Sequence, residues 1–412
     1  MLDQVGCVDF VGAVRSQGER AGDIGDDINL IDVRDIEADS AGALAGAAAK
    51  VDDDASGGFA HMRIIVRVRR VEYQRIRGRR CVNIRANGPG RELAELKTHK
   101  RNESGYNPQS GLTFAEAIAM DIGLMVEGQN GLTWERWSHI LALAERLQFP
   151  TVFRSDHYFI GRQQDSLDAY LSFVMAASQT KTIRFGPLVS PVTFRSPVQV
   201  GRMAAQIDRL SGGRFVMGMG AGWNEPEHKA YGIPFPTVRE RMDRLEESIN
   251  VVRALWAPGP ATYTGRYYSL DGADCMPKPA AGRPPILIGG GGEKRTLRLA
   301  ARYADEWNGV NFGPDVYARK AQVLEQHCEA EKRDPAAIRR SMMIFCRWED
   351  LLPKWSTQQG EVIANGVDQL LDVIGQLGRS GLQEIQFQHF DFDDDSVPEY
   401  LASEVVPRVK GL

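Results

Sequence analysis

The chain has 412 residues, of which 43% are hydrophobic and 25% are charged, and its formal net charge is -4. These values are typical of globular proteins with a large buried core, and they exclude a fibrous or wholly disordered chain. The slight acidity gives no general attraction to nucleic acid or to anionic membranes, so we expect neither as a partner.

Cysteine spacing and hydropathy indicate a cytoplasmic protein. No pair of cysteines has CxxC spacing, which argues against structural zinc and for a reducing compartment. No apolar run approaches the roughly 18 to 20 residues of a membrane span, and the N-terminus lacks the layout of a signal peptide. We therefore expect no metal site and no membrane segment. The five cysteines are Cys7, Cys81, Cys275, Cys328 and Cys346.

Residues 1–119 differ in composition from the rest of the chain. They open on a Gly-, Ala- and Asp-rich stretch and continue with an arginine-rich segment from Met62 to Arg85. A regulatory segment and a basic nucleic-acid arm are two possible interpretations. We favour a third, a poorly ordered extension or a mis-assigned start upstream of Met120, because the acidic opening would offset the charge of an arm. The domain of interest is then 120–412.

From Met120 onward, strand and helix patterns alternate regularly. Eight strands, each followed by a helix, favour closure into a (β/α)₈ TIM barrel, because an open doubly wound sheet usually has fewer strands. An insertion from Pro258 to Pro284 contains a small hairpin. The predicted strands are Asp121–Val126, Thr151–Arg154, Ile183–Val189, Arg214–Gly218, Pro285–Ile288, Ala304–Trp307, Ser341–Cys346 and Glu384–Gln388.

Local signals predict several helix ends. Thr133 can cap the first helix, Ser196 precedes Pro197 in a capping box, and the third helix should stop at Gly212. The segment through Pro226 is expected to be a loop before the fourth helix. The second helix is expected from Leu167 to Thr180, with these residues on its apolar face: Leu167, Tyr170, Leu171 and Val174.

The residues that follow the strands would form the active face of such a barrel. Asp156 and His157 lie side by side at a strand end, and this position favours a functional pair over a turn-forming Asp and a surface His. Two of the five segments are rich in glycine, whose backbone N–H groups can approach an anion, so a phosphate is the natural occupant. The five segments are Glu127–Gln129, Asp156–His157, Pro187–Ser190, Gly220–Trp223 and Gly289–Gly292.

Missing motifs exclude several enzyme classes. Trp223 stands where GxGxxG needs its third glycine, which argues against a Rossmann dinucleotide site. The chain has no HxH, HExxH or GxSxG motif, so metal-dependent hydrolysis is not expected. Aromatic residues near the mouth suit a flat cofactor with flavin-type hydride chemistry, although each could instead be an ordinary core residue. These aromatics are Phe153, Tyr158, Phe194, Trp223 and Trp307.

Ordered motifs connect the chain to a known superfamily. They are Met120–Met125, Arg154–His157, Phe185–Arg195, Ala205–Arg214, Gly218–Trp223, Pro285–Gly292 and Ala304–Asn308. Together they resemble the bacterial luciferase-like monooxygenase superfamily, most closely its oxidoreductases that depend on the deazaflavin coenzyme F-420. The resemblance covers essentially all of residues 120–412 and none of 1–119.

The resemblance implies a homodimeric barrel that binds coenzyme F-420, or alternatively FMN, in its mouth and acts on a small molecule. Asp156 and His157 would contact the ring, with His157 as the catalytic residue. A stretch that often contains a non-proline cis peptide would pack behind the ring, and two glycine-containing segments would hold the ribityl and phosphate portions. The remaining implied cofactor-binding residues are Pro187, Leu188, Val189, Ser190, Ala221, Gly222, Trp223, Gly290, Gly291 and Gly292.

One residue departs from the superfamily pattern. The sugar-phosphate dehydrogenases of the superfamily carry a catalytic Glu where Ala221 stands, which argues against the same substrate, and Glu225 or Glu227 is close enough to substitute. No residue separates FMN from the deazaflavin. From the overall pattern we expect hydride transfer between coenzyme F-420 and a small organic substrate. The alternatives are an FMN-dependent monooxygenase that uses molecular oxygen and a cofactor-binding protein without turnover.

Overall fold

The computed structural model describes residues 82–86, 94–98 and 120–410, apart from 163–165, 281, 358–359 and 390. The chain divides into two compact units, residues 1–112 and 113–412. In the first unit, β1 (Val82–Ala86) pairs antiparallel with β2 (Ala94–Thr98). The remainder of the extension predicted for residues 1–119 lies outside the described residues, as do Cys7 and Cys81.

The second unit alternates strands and helices. Its strands are β3 (Asp121–Val126), β4 (Thr151–Arg154), β5 (Arg184–Pro187), β6 (Ser190–Pro191), β7 (Met217–Gly220), β8 (Ala261–Thr264), β9 (Ser269–Ala273), β10 (Ile286–Gly289), β11 (Glu306–Val310), β12 (Arg339–Ile344), β13 (Cys346–Glu349), β14 (Leu352–Ser356), β15 (Val362–Asn365) and β16 (Glu384–His389). Its helices are α1 (Trp134–Arg146), α2 (Ala169–Gln179), α3 (Pro197–Ser211), α4 (Glu225–Ala230), α5 (Val238–Trp256), α6 (Thr296–Tyr303), α7 (Pro314–Ala330), α8 (Val367–Arg379), α9 (Ser396–Tyr400) and α10 (Val406–Val409), with a 3-10 turn at Pro335–Ala337 and a π-helical turn at Leu401–Val405.

Nine strands form one sheet in the order β5-β4-β3-β16-β12-β11-β10-β7-β6, and the paired strands run parallel. β5 and β6 are two halves of one barrel strand, interrupted at the cis peptide bond between Leu188 and Val189. The ring closes where the Val216 N–H donates to the Phe185 carbonyl at 2.8 Å and where β6 pairs with β7. The predicted (β/α)₈ barrel is therefore confirmed.

The predicted helix ends are confirmed by their capping contacts. The Thr133 hydroxyl oxygen accepts from the backbone N–H of Arg136 at the start of α1. Ser196 accepts from Val198 N–H at the start of α3, and Gly212 ends this helix in the left-handed conformation at φ 69°. Each contact satisfies backbone groups that a helix end leaves without an intrahelical partner.

Alternating strand residues build two apolar cores. In β3, Leu124 and Val126 face outward and pack against residues of α1 such as Trp137 and Leu141, whereas Met125 faces the barrel interior. The interior cluster consists of Met125, Phe153, Leu188, Val216, Leu287 and Met343.

A buried polar network fills the barrel at the N-terminal ends of its strands. Arg184, the first residue of β5, donates to Glu306 at 3.0 Å, and Arg339 donates to Glu384 at 3.0 Å. Burial raises the pKa of Glu306, and the nearby charge of Glu384 raises it further. The network lies at the end of the barrel opposite to the one where barrel enzymes place their chemistry.

Several segments differ from the sequence prediction; the strands expected at Ile183–Val189 and Arg214–Gly218, for example, are observed as Arg184–Pro187 and Met217–Gly220. The segment through Pro226, predicted as a loop, contains α4; six residues are too few to show a helical period. The strand predicted to reach Cys346 ends at Ile344, and Cys346 begins the antiparallel sheet β13-β14-β15.

The prediction of the apolar face of α2 was wrong for two residues, which lie on the exposed side of the helix. Leu171 and Val174 are 61% and 44% exposed, respectively. The helix packs against the barrel through Tyr170, Phe173, Ala176 and Ala177, and this stripe leaves Leu171 and Val174 on the outer side. Within the described ranges, no helix combines the length and apolarity that crossing a membrane requires.

Gly186 should be essential where the barrel closes. A Cβ on this residue would lie 1.9 Å from the Val216 carbonyl oxygen, and a backbone atom of a paired strand cannot move aside. We expect Gly186→Ala to lower the free energy of unfolding by about 3 kcal/mol, as for severe overpacking. Urea unfolding of the full chain measures this.

The matched control is Gly313→Ala. Its Cβ would meet no atom closer than 3.7 Å, and the residue has φ -68°. The expected loss is at most about 1 kcal/mol, because the residue caps α7 without a side-chain bond. Equal losses in the two variants would contradict the close contact at Gly186.

Candidate active site

The parallel barrel brings the predicted site segments to one face. His157 follows β4, Val189 lies between β5 and β6, Trp223 follows β7, and Gly290 follows β10. Direct contacts link several of these segments, including an edge-to-face contact of His157 with Trp223 at 5.4 Å between ring centroids. We refer to this face as the barrel mouth.

Arg154, at the end of β4, holds the surrounding loops together. Its fully buried guanidinium donates to the Ser155 carbonyl at 3.0 Å, to Ser172 Oγ at 3.0 Å and to the Leu167 carbonyl at 2.9 Å. Burial lowers the pKa of Arg154 to about 10, so the side chain remains charged at neutral pH. A Cβ on Gly128 would lie 2.3 Å from this guanidinium, so the loop after β3 also needs its glycine.

Asp156 connects the end of β4 to β6 and to the segment just before α3. Its Oδ2 accepts from Ser190 Oγ at 2.6 Å and from Arg195 Nη1 at 2.7 Å. Arg195 also donates to Asp168 at 2.8 Å. Burial alone would raise the pKa of Asp168, but the hydrogen bond and charge of Arg195 outweigh it and lower this pKa. The predicted contact of Asp156 with a cofactor ring stays a prediction.

His157 contacts a carboxylate from a distant part of the chain. Its Nδ1 lies 2.8 Å from Glu227 Oε1, and Glu227 Oε2 accepts from the backbone N–H groups of Tyr158 at 3.0 Å and Phe159 at 3.4 Å. The side chain of Glu227 is only 1% exposed, whereas that of His157 is 17% exposed. Of the two glutamates that the sequence left open, Glu227 reaches the site, and Glu225 is exposed on α4.

Leu188 and Val189, between β5 and β6, form a bulge at the barrel mouth. The cis peptide bond between Leu188 and Val189 lies where the resemblance placed one. A Cβ would lie 1.9 Å from the Pro187 carbonyl oxygen if built on Gly218, and 2.6 Å from Val189 if built on Gly220. Both glycines therefore make room for this bulge, a packing role that the phosphate interpretation of glycine-rich strand ends did not include.

The loop after β10 offers free backbone donors. Trp307 Nε1 donates to the Gly290 carbonyl at 2.8 Å, and Lys320 Nζ donates to the Gly291 carbonyl at 2.8 Å. In the part of the chain that the structure describes, the N–H groups of Gly291 and Gly292 donate to no protein atom. Such groups just ahead of α6 suit an anionic oxygen.

The segment after β7 combines a packed glycine with an exposed indole. Gly222 has φ 81°, and a Cβ on it would lie 3.1 Å from Thr193 and 3.2 Å from Pro191. Ala221 is partly buried, and Trp223 is 66% exposed beside His157. Cofactor contacts of these residues stay predictions.

The aromatic residues named from the sequence divide into two groups. Phe153 and Trp307 are fully buried core residues, as the alternative interpretation allowed. Tyr158 and Phe194 stack at 4.5 Å near the mouth, and Tyr158 also contacts Tyr231. Sequence reasoning missed Tyr231 because it was assigned to a loop.

Comparisons with known proteins agree with this architecture. A family model described as luciferase-like monooxygenase matches residues 120–350. A Mycobacterium tuberculosis protein described as uncharacterised is 33% identical over 146 residues, 35% of this chain and 51% of the relative, so the chain spans about half the length of the mycobacterial relatives it matches. The pyrimidine monooxygenase RutA of Escherichia coli is 31% identical over 265 residues, 58% of this chain and 68% of that protein.

Solved structures share the fold at low identity. An F420-dependent secondary alcohol dehydrogenase, in complex with an F420-acetone adduct, superposes with a TM-score of 0.61 at 21% identity and covers 70% of this chain and 99% of its own. The monooxygenase RslO1 from Streptomyces bottropensis superposes with a TM-score of 0.60 at 18% identity, with the same coverage of 70% and 99%. At these identities the likeness concerns the fold alone.

Lysine should not be able to replace Arg154. We expect Arg154→Lys to lower the free energy of unfolding by about 2 to 4 kcal/mol, because an ammonium cannot reproduce the planar set of bonds and leaves buried carbonyls without donors. The same change at exposed Arg162 should cost under about 0.5 kcal/mol. Urea unfolding compares the two variants, and similar values would argue against the anchoring role of Arg154.

Proposed function

The chain belongs to the luciferase-like monooxygenase family, and on that premise we propose that it is a deazaflavin-dependent oxidoreductase. It would exchange a hydride between coenzyme F-420 and a small organic substrate. The proposal includes action in the cytoplasm, which we expect from the cysteine spacing and hydropathy, and a homodimer, which we carry over from the family resemblance. The observation that supports it most is the placement of His157 at the barrel mouth against the buried carboxylate of Glu227.

The barrel mouth fits a flat ring with a phosphate-bearing tail. The bulge at Val189 offers an apolar surface behind such a ring, and the exposed indole of Trp223 offers a second one. The N–H groups of Gly291 and Gly292 suit the phosphate. When bound, the deazaflavin would supply the centre that accepts or returns a hydride.

His157 would manage the proton that accompanies the hydride. Its Nε2 lies on the far side of the ring from Glu227 and has no hydrogen-bond partner among the described residues. When the C–H bond of an alcohol breaks and its electron pair leaves as hydride, the hydroxyl proton must leave as well for the carbonyl to form. Nε2 accepts that proton, and in the reverse direction it returns it.

A second candidate is an FMN-dependent monooxygenase. It is favoured by the 31% identity to RutA, which extends over 68% of that protein. In this case reduced FMN and molecular oxygen would be consumed, and oxygen uptake by the full chain with reduced FMN would reveal it. A third candidate, a cofactor-binding protein without turnover, would leave His157 with a structural role.

Replacement of His157 should separate binding from turnover. We expect His157→Ala to lower the rate at which secondary alcohols reduce oxidised coenzyme F-420 by about 10²- to 10⁴-fold, because the proton acceptor is lost. Cofactor affinity should change less than about threefold, since hydrogen bonds of Ser190 and Arg195 still hold Asp156 and the neighbouring loop. Bleaching of the cofactor absorbance and a fluorescence titration measure the two quantities.

The control is His139→Ala, which replaces a half-exposed histidine paired with Asp395. It should leave both quantities unchanged. Wild-type turnover in the His157→Ala variant would contradict the role of His157 as proton acceptor and would leave the histidine with a structural role.

A further inference from the structure

Contacts of residues other than Glu227 also hold the short helix α4 against the loop after β4. Asn224 Nδ2 donates to the Phe159 carbonyl at 2.9 Å. His228 donates from Nδ1 to the Asn224 carbonyl at 2.7 Å and accepts at Nε2 from the Thr193 hydroxyl at 2.7 Å. These bonds connect the start of α4 to both neighbouring segments, so the buried carboxylate of Glu227 is not needed merely to attach the helix.

The bonds of Glu227 fix the proton on one nitrogen of His157. Oε2 accepts from the backbone N–H groups of Tyr158 and Phe159, and Oε1 faces Nδ1 at 2.8 Å. A carboxylate that accepts backbone donors on one oxygen offers only a lone pair on the other. Nδ1 therefore carries a hydrogen and donates it, and in the neutral ring the lone pair lies on Nε2.

We propose that Glu227 is a positioning residue that holds His157 as the Nδ1–H tautomer, so that Nε2 faces the barrel mouth as a proton acceptor. A buried carboxylate behind an imidazole sets ring orientation and tautomer in this way in other sites. The tautomer follows from the contacts of Glu227 alone. Its catalytic consequence rests on the proposed function.

Glu227→Gln should invert the tautomer. The backbone N–H groups of Tyr158 and Phe159 still require an acceptor, so the amide oxygen takes the place of Oε2. The amide nitrogen then faces Nδ1 of His157 and donates to it, which forces the ring proton onto Nε2. The shape of the side chain is nearly unchanged, so the inversion isolates the chemical role of the carboxylate.

The first test is ¹⁵N NMR of the full chain labelled at histidine, without cofactor and above about pH 8, where a typical imidazole is neutral. A His157→Ala variant assigns the signal by its disappearance. We expect a protonated Nδ1 and an unprotonated Nε2 in the wild type, and the reverse in Glu227→Gln. Glu225→Gln, at an exposed position of the same helix, should match the wild type.

Either of two spectra would overturn the proposal. One is a wild-type His157 protonated at Nε2, and this outcome is decisive even if the Glu227→Gln protein does not fold. The other is a folded Glu227→Gln protein that keeps the Nδ1–H tautomer.

The second test is a double-mutant cycle on turnover of coenzyme F-420 with a secondary alcohol. Glu227→Gln should lower kcat roughly 100-fold when His157 is present. It should have no further effect in the His157→Ala background, because Glu227 acts through the imidazole ring. Equal effects in both backgrounds would refute the positioning role. Absence of turnover in the wild type would count against the proposed function and leave the NMR result to decide the tautomer.

Discussion

A guanidinium buried at a strand end determines the shape of the candidate site. Arg154 donates to acceptors on the segment that follows it, from Ser155 to Ser172, and it leaves Gly128, in the loop after β3, no space for a side chain. Because the charge is fully buried, its bonds are strong and removing them leaves buried carbonyls unsatisfied. This arrangement fixes the chain up to His157, so Asp156 ties β4 to β6 and His157 reaches the barrel mouth.

A second constraint acts across the barrel. Val189 packs against the interior cluster, and β7 can pair beside this stretch only because Gly218 and Gly220 carry no side chains. The same strand then delivers Trp223 and, through α4, Glu227 to the histidine. The packing of β7 against Val189 therefore also positions Trp223 and Glu227, two residues that contact His157.

Much of the barrel could be predicted from the sequence, because the hydrophobic periodicity of a strand or helix depends only on residues close together in the chain. The predicted bounds of Asp121–Val126 and Thr151–Arg154 match β3 and β4, and Thr133 and Ser196 cap helices as expected. The contact of His157 with Glu227 could not be predicted, since 70 residues separate them and a six-residue helix is too short to show a hydrophobic period. The exposed side of α2 was misjudged because its apolar residues extend beyond the buried stripe.

The nature of the cofactor is the central claim, and a binding titration tests it most directly. The full chain is titrated with oxidised coenzyme F-420 and, separately, with FMN, and the fluorescence of each cofactor is followed. The account predicts tight binding of coenzyme F-420 and no measurable binding of FMN at the same concentrations. Preferential binding of FMN would contradict the hydride-transfer assignment in favour of oxygen chemistry, and binding of neither would contradict a flavin-type site at the barrel mouth.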